Sequence, residues 1–231
     1  MPSLANSELR STCPYCGVGC GINRNHQTTG IVGDPLHPAN FGRLCVKGAA
    51  LGKTLQPQGR LLQPLLDGKP AEWPLALATA ASRLQAIIDE HGPGSVAMYL
   101  SGQLLTEDYY VANKLLKGFI GSSHLDTNSR LCMASTVAGH KRAFGEDVVP
   151  GCYEDLELAD LLVLVGSNLA WAHPVLFQRL QAAREKYPAK KIVVIDPRRT
   201  ATADSADLFL PLKPGTDVAL FSGLLSYLAK A

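Results

Sequence analysis

Beyond residue 74 the apolar and polar positions of this chain fall into two alternating periods. Leu75 to Glu90 carries apolar residues at helical spacing, and Ser95 to Leu100 is a short apolar run bounded by Gly94 and Gly102. Thr106 reads as an N-cap, with Glu107 and Asp108 in the first turn of a helix reaching about Phe119. Met133 to Phe144 is a second helical stretch. Leu161 to Val165 is an all-apolar strand ending in Gly-Ser-Asn, a helix runs from Pro174 to about Tyr187, and Lys191 to Ile195 is a strand ending in Asp-Pro. Strand, helix and strand at this rhythm predict a parallel βαβ unit. Asp207 to Leu212 reads as a further strand, and Thr216 as the cap of a last helix. No internal repeat or low-complexity tract is visible.

The first 60 residues behave differently. They are rich in Gly, Pro, Asn and His and lack long periodic runs, the profile of a small module organised by something other than a large core. A metal centre would supply the missing stability. Gln56 to Pro74, with four prolines and two glycines, reads as a connection. The expected organisation is a cluster-binding module over residues 1–60 followed by an α/β region over 61–231.

Composition narrows the options. Of the 231 residues 46% are hydrophobic and 18% charged, which suits a folded globular protein. The formal charge of +2, with Lys and Arg scattered, gives no nucleic-acid footprint. MPSLANSELR has no apolar h-region and no twin arginine, and no apolar stretch approaches the roughly 20 residues that span a bilayer. A cytoplasmic protein without nucleic-acid or membrane partners is therefore expected, and in that reducing compartment its six cysteines are more readily ligands than disulfide partners.

Cys13, Cys16 and Cys20 form C-x-x-C-x-x-x-C, and Cys45 follows after 24 intervening residues. Three thiolates from one tight loop and a fourth from a distant one can grip an iron-sulfur cubane. Gly17, Gly19 and Gly21 interleave the ligands, so the backbone can wrap closely. A structural zinc site is the main alternative, although four-cysteine zinc sites usually pair two knuckles and Cys45 has no near companion. Cys132 falls at the expected start of a helix, where the dipole favours a thiolate, so it reads as a metal ligand, a nucleophile or a buried inert thiol. Cys152 carries no companion feature.

Two loops follow strands of the βαβ unit: Gly166-Ser167-Asn168 and Asp196-Pro197-Arg198-Arg199-Thr200. In open parallel sheets ligands bind beyond the carboxyl ends of strands. Glycine admits a phosphate, Asp accepts hydrogen bonds from a base or ribose, and arginine forks onto phosphate oxygens. Without a full G-x-G-x-x-G pattern, ordinary βα turns remain the alternative.

CPYCGVGC, LCVKGAALGKTL, NSRLCMAS, VGSN, IDPRRT and LKPGTD, in this order, resemble the N-terminal region of the molybdenum-bis-pterin guanine dinucleotide oxidoreductases, the dimethyl sulfoxide reductase family, and within it the assimilatory nitrate reductases. The resemblance runs from about Thr12 to the end. It implies an α/β fold in which a small N-terminal iron-sulfur module precedes a Rossmann-like parallel domain binding a pterin guanine dinucleotide. It implies 4Fe-4S ligation by Cys13, Cys16, Cys20 and Cys45, with Lys47 on the electron path between cluster and pterin. Gln103 and Asn128 would touch the pyranopterin, and Cys132 would bind molybdenum of a bis(molybdopterin guanine dinucleotide) cofactor. Gly166, Ser167, Asn168 and His173 would line one dinucleotide arm. Asp196 and Arg198 would hold its guanine or phosphates, and Gly215, Thr216 and Asp217 would form a further binding loop. The family's catalytic chains are several times longer, so this one is expected to be an incomplete portion.

The activity the resemblance implies is reduction of nitrate to nitrite, with electrons from a ferredoxin, a flavodoxin or an NADH-linked donor. Arg130 and Lys141 lie near Cys132 in sequence and could favour an anion. A formate dehydrogenase of the same family and a non-catalytic electron-transfer module are the alternatives. Formate oxidation needs a group that takes up a proton, and formate dehydrogenases of the family place a histidine directly after the metal-bound Cys or selenocysteine. Here that position is Met133, whose thioether cannot act as a base.

Overall fold

The computed structural model describes residues 9–24 and 30–231, so the leader reading of MPSLANSELR lies, over its first eight residues, outside the described residues. Two compact units form: residues 1–56 with 150–231, and residues 57–149.

The chain opens on an antiparallel sheet of β1 (Leu9–Thr12), β2 (Gly21–Arg24) and β3 (Ile31–Gly33), in that order. The loop carrying the first three cysteines joins β1 to β2. Helix α1 (Val46–Ala49) starts directly after Cys45 and runs into a 3-10 turn, Leu51–Leu55.

In the second unit β4 (Leu65–Leu66) and β5 (Lys69–Pro70) form a small hairpin, followed by α2 (Trp73–His91). Strand β6 (Met98–Leu100), α3 (Thr106–Asn113), a π-helical continuation over Lys114–Ile120, β7 (Leu125–Thr127) and α4 (Asn128–Phe144) complete it. β6 and β7 pair in parallel. Two expectations are corrected here. Thr106 is the first helical residue, and the cap is Leu105, whose N–H donates to the Asp108 carboxylate at 3.2 Å. Helix α4 begins at Asn128, which moves Cys132 from the helix start into its second turn. The free amides that carry the positive end of a helix dipole are confined to the first turn.

The first unit resumes with α5 (Tyr153–Leu158), β8 (Leu161–Val165), α6 (Leu169–Ala172), α7 (Pro174–Lys186) and β9 (Lys191–Ile195). It ends with α8 (Ala201–Asp204), β10 (Leu208–Leu210) and α9 (Asp217–Leu228). The sheet order is β10-β9-β8, all parallel, as the βαβ rhythm required. The third strand is shorter than its apolar run, because only Leu208–Leu210 ladder onto Val193–Ile195. Thr216 stands at the head of α9, but its hydroxyl donates back to the Lys213 carbonyl at 2.7 Å and not forward into the helix.

One core serves both halves of this unit. Ile192 and Val194 of β9 and Val175, Leu176 and Leu180 of α7 are buried together with Cys13, Val18, Cys20, Ile22 and Ala39 of the N-terminal segment. Full burial of a side chain such as Leu180 contributes roughly 2 kcal/mol. The cysteine segment thus lacks a core of its own and uses the apolar face of the βαβ unit. No helix among the described residues is long and apolar enough to cross a membrane.

Candidate cofactor sites

The Cys13–Cys20 loop is closed at its base by the Cys13 N–H donating to the Cys20 carbonyl at 2.8 Å, and turns through Gly19, whose φ of +67° favours glycine. Cys45 reaches the same place from the head of α1. All four cysteines line one small cavity, completed by Tyr15, Val18, Leu44, Gly48, Pro174 and Val175. A Cβ at Gly48 would lie 3.3 Å from Leu44 and 3.9 Å from Cys13 Sγ, so glycine lets α1 close on the thiols. Pro174 and Val175 begin α7, which turns the positive end of that 13-residue helix toward the thiols.

Burial first, and then the neighbouring Cys13, Cys16 and Cys45, push the Cys20 thiol up to about 11. Metal binding at Cys20 would therefore release its proton. Among the described residues no three His, Cys, Asp or Glu draw together tightly enough to hold one metal ion. Four thiols lining one cavity can each take one iron of a cluster.

Polar pins hold this arrangement, and sequence reasoning passed over all three. Asn40 is fully buried: its Oδ1 accepts from the Gly21 N–H at 2.8 Å, and its Nδ2 donates to the carbonyls of Gly21 (3.0 Å) and Arg43 (2.9 Å). Arg179 of α7, 1% exposed, donates to Glu157 at 2.6 Å and to the carbonyls of Pro38 (2.7 Å) and Ala39 (2.9 Å). Its guanidinium also stacks 5.0 Å from the Phe41 ring and 5.6 Å from that of Tyr153. The Tyr153 hydroxyl donates to the Val18 carbonyl at 2.8 Å, with Gly17 O at 3.3 Å. A signal for Arg179 existed: it occupies the stripe Val175, Leu176, Leu180, Ala183, the buried face of α7. Asn40 and Tyr153 carry no such mark.

Lys47 is exposed on α1, its Nζ 5.9 Å from the centre of the Tyr15 ring. Tyr15 in turn lines the cysteine cavity.

A second locus forms at the carboxyl edge of the parallel sheet. The Gly166 N–H donates to the Ile195 carbonyl at 2.8 Å, which brings the loops after β8 and β9 side by side. Gly166 has φ +57° and nothing within 4 Å of where a Cβ would stand, so a ligand could approach its backbone. Asp196 is buried, and its Oδ1 accepts from the Arg198 N–H at 2.8 Å, while the Arg198 side chain is left exposed. Asn168 Oδ1 and Thr200 Oγ1 are buried with no hydrogen-bond partner in the protein. Orphaned polar atoms at a strand edge are what a polar ligand would satisfy. Ser167 and His173 lie half-buried along the same loop region, and Gly215 (φ +80°), Thr216 and Asp217 follow β10 toward the same edge.

Within residues 57–149, Gly102 approaches Asn128 so closely that a Cβ would fall 2.6 Å from Asn128 Oδ1. That contact joins the loop bearing Gln103 to the head of α4, one turn before Cys132. Cys132 and Met133 are both exposed.

A parallel α/β sheet with orphaned polar atoms at its carboxyl edge and a cavity ringed by four thiols define the class as a protein built to hold a metal centre and a polar ligand. Residues 7–57 match the molybdopterin oxidoreductase Fe4S4 domain and residues 60–231 the molybdopterin oxidoreductase domain. The chain belongs to the molybdopterin oxidoreductase family, whose cofactors are a molybdenum-pterin and a 4Fe-4S cluster. It is 63% identical to a nitrate reductase of Klebsiella oxytoca, over 96% of this chain and 26% of that protein. It is 55% identical to a nitrate reductase of Shewanella frigidimarina (96% and 25%), and 44% identical to a periplasmic nitrate reductase of Desulfovibrio desulfuricans (94% and 30%). Among solved structures it is similar to acetylene hydratase from Pelobacter acetylenicus, with a TM-score of 0.77 and 25% identity, over 94% of this chain and 31% of that one. The chain spans about a quarter of the length of the first two relatives.

Proposed function

We propose that this chain is the N-terminal part of an assimilatory, cytoplasmic nitrate reductase. The observation that carries the reading is the 63% identity to a nitrate reductase across 96% of the chain, with all four cluster cysteines on one cavity. The donor is a ferredoxin, a flavodoxin or an NADH-linked protein.

The bound groups supply oxygen-atom transfer and one-electron delivery, and two electrons with two protons convert nitrate to nitrite and water. The protein's task is to hold and tune them. Cys13, Cys16, Cys20 and Cys45 hold the cluster, and Lys47 lies on the electron path. Cys132 supplies the thiolate for molybdenum, with Met133 beside it as a pocket wall that cannot take up a proton. Gln103 and Asn128 orient the pterin. Gly166, Ser167, Asn168 and His173 hold a dinucleotide arm; Asp196 accepts hydrogen bonds from its base, Arg198 meets its phosphates, and Gly215, Thr216 and Asp217 close a further loop.

Full-length protein purified without oxygen should carry four irons and four sulfides for this segment, and should oxidise reduced viologen with nitrate. Formate oxidation without nitrate reduction would overturn the assignment, as would one zinc with no acid-labile sulfide for the cluster.

A further inference from the structure

We infer that Tyr153 is a positioning residue of the iron-sulfur cluster, its hydroxyl holding the Gly17–Val18 crown of the cysteine loop and thereby setting the cluster's retention and potential. The inference rests on the cluster reading of the four cysteines. The loop between Cys16 and Cys20 has few internal ties: the Gly19 N–H donates to the Cys16 carbonyl at 3.3 Å, and Cys13 and Cys20 close the base. The crown is fastened from 135 residues away in sequence, by the Tyr153 O–H donating to Val18 O at 2.8 Å.

The donor is itself held. Tyr153 begins α5, is half-buried against the core that contains Cys13, Val18 and Cys20, and faces the Arg179 guanidinium at 5.6 Å. Arg179 is in turn fixed by Glu157 and by the carbonyls of Pro38 and Ala39. A rigid phenol that donates to carbonyls beside the thiolates does two things. It restrains the loop that must open for iron to leave, and it draws electron density from peptide dipoles near the cluster. Cluster potentials respond to such local dipoles, to hydrogen bonding and to solvent exposure. Without the hydroxyl the carbonyls become a more negative surrounding, so adding an electron becomes harder and the midpoint potential falls.

Tyr153→Phe tests this, since it removes the hydroxyl and keeps the ring over Arg179. In the full-length holoenzyme the variant should contain as much iron and sulfide as wild type. Its iron should pass to a chelator roughly fivefold faster, the scale of one net hydrogen bond. Its cluster midpoint, followed by redox titration of the electron paramagnetic resonance signal, should be lower. Tyr153→Leu, which also removes the ring, should release iron faster still. Should Tyr153→Phe accumulate without iron, reconstitution with ferrous iron and sulfide followed by the same chelation assay decides the matter. Unchanged release with an unchanged or higher midpoint would overturn the inference. Wild-type protein lacking iron and sulfide would instead overturn the cluster reading beneath it.

Discussion

Residues 57–149 bury only Val96, Leu116 and Ser122, whereas the unit formed by residues 1–56 and 150–231 buries a continuous core with charged and amide side chains set into it. The contrast does not come from a shortage of apolar residues in the first. Helix α2 alone exposes Trp73, Leu75, Leu77, Leu84 and Ile87. Its two-stranded parallel sheet is the architecture that ordinarily needs cover on both faces. The other unit has a third strand and places α7 against it, and the cysteine segment takes the remaining apolar surface. A short metal-binding segment is thus stabilised by residues more than a hundred positions later, and the sheet that carries the loops after β8 and β9 also holds the cysteine loop.

Removing a cluster ligand should expose this difference most strongly. Cys20→Ser should lose the cluster and open residues 9–56, because metal binding supplies much of such a segment's folding free energy. Hydrogen exchange by region is the measurement. Amides of β2 should lose protection, while those of α2 and α4 exchange as in wild type. Equal loss in both units would show that the two do not stand independently.

A smaller effect is expected at Arg179. Arg179→Met keeps the apolar stem but leaves the carbonyls of Pro38 and Ala39 unpaired and Glu157, one-third exposed, without its partner. Breaking a buried pair from one side costs about 3–5 kcal/mol, and partial hydration of Glu157 reduces that to roughly 2–4 kcal/mol. Thermal unfolding should show a single transition shifted down, or two transitions of which only the one assigned to residues 1–56 and 150–231 moves. An unchanged midpoint would mean that the apolar core alone fixes the cysteine segment.

Much of the first unit could be read in the residues, for identifiable reasons. Leu161–Val165 and Lys191–Ile195 are unbroken apolar runs with turn residues at both ends, and Pro174 suits the first helical position, so β8, β9 and the start of α7 fall where expected. The start of α4 is not marked in the sequence, because Asn128, Ser129 and Arg130 are polar and carry no periodic stripe, and apolar periodicity sets in only at Met133. Helix α3 begins with Thr106, yet capping falls to a backbone N–H on Leu105 meeting Asp108 from within the helix. For the site, clustered cysteines announced themselves by spacing. Arg179, Asn40 and Tyr153 did not, since their partners are backbone carbonyls and rings brought close only by the tertiary fold. Apolar periodicity reports what faces a core. It carries little information about which polar side chain is pinned inside one.

The smallest expected effect concerns Asp207, at the entrance to β10. Its carboxylate accepts from the Ile192 N–H at 2.9 Å and lies 3.2 Å from Arg184 and 3.4 Å from Lys191. The Ile192 hydrogen bond first, then Lys191 and Arg184, hold the carboxyl below its usual 3.8. A depressed carboxyl contributes stability that is present above the unfolded value and is lost as pH falls through the lower folded one. Asp207→Asn should therefore unfold at a lower temperature than wild type near neutral pH, and the gap should close as pH drops below about 4. Cluster loss in acid affects both proteins, so the difference between them is the informative quantity. Added salt should narrow the gap without closing it, because the charged partners are screened while the bond from the Ile192 N–H persists. A gap that stays constant with pH would assign the role of Asp207 to the shape of its side chain. A gap that vanishes in salt would assign it to charge alone and leave the β9–β10 register to the backbone ladder.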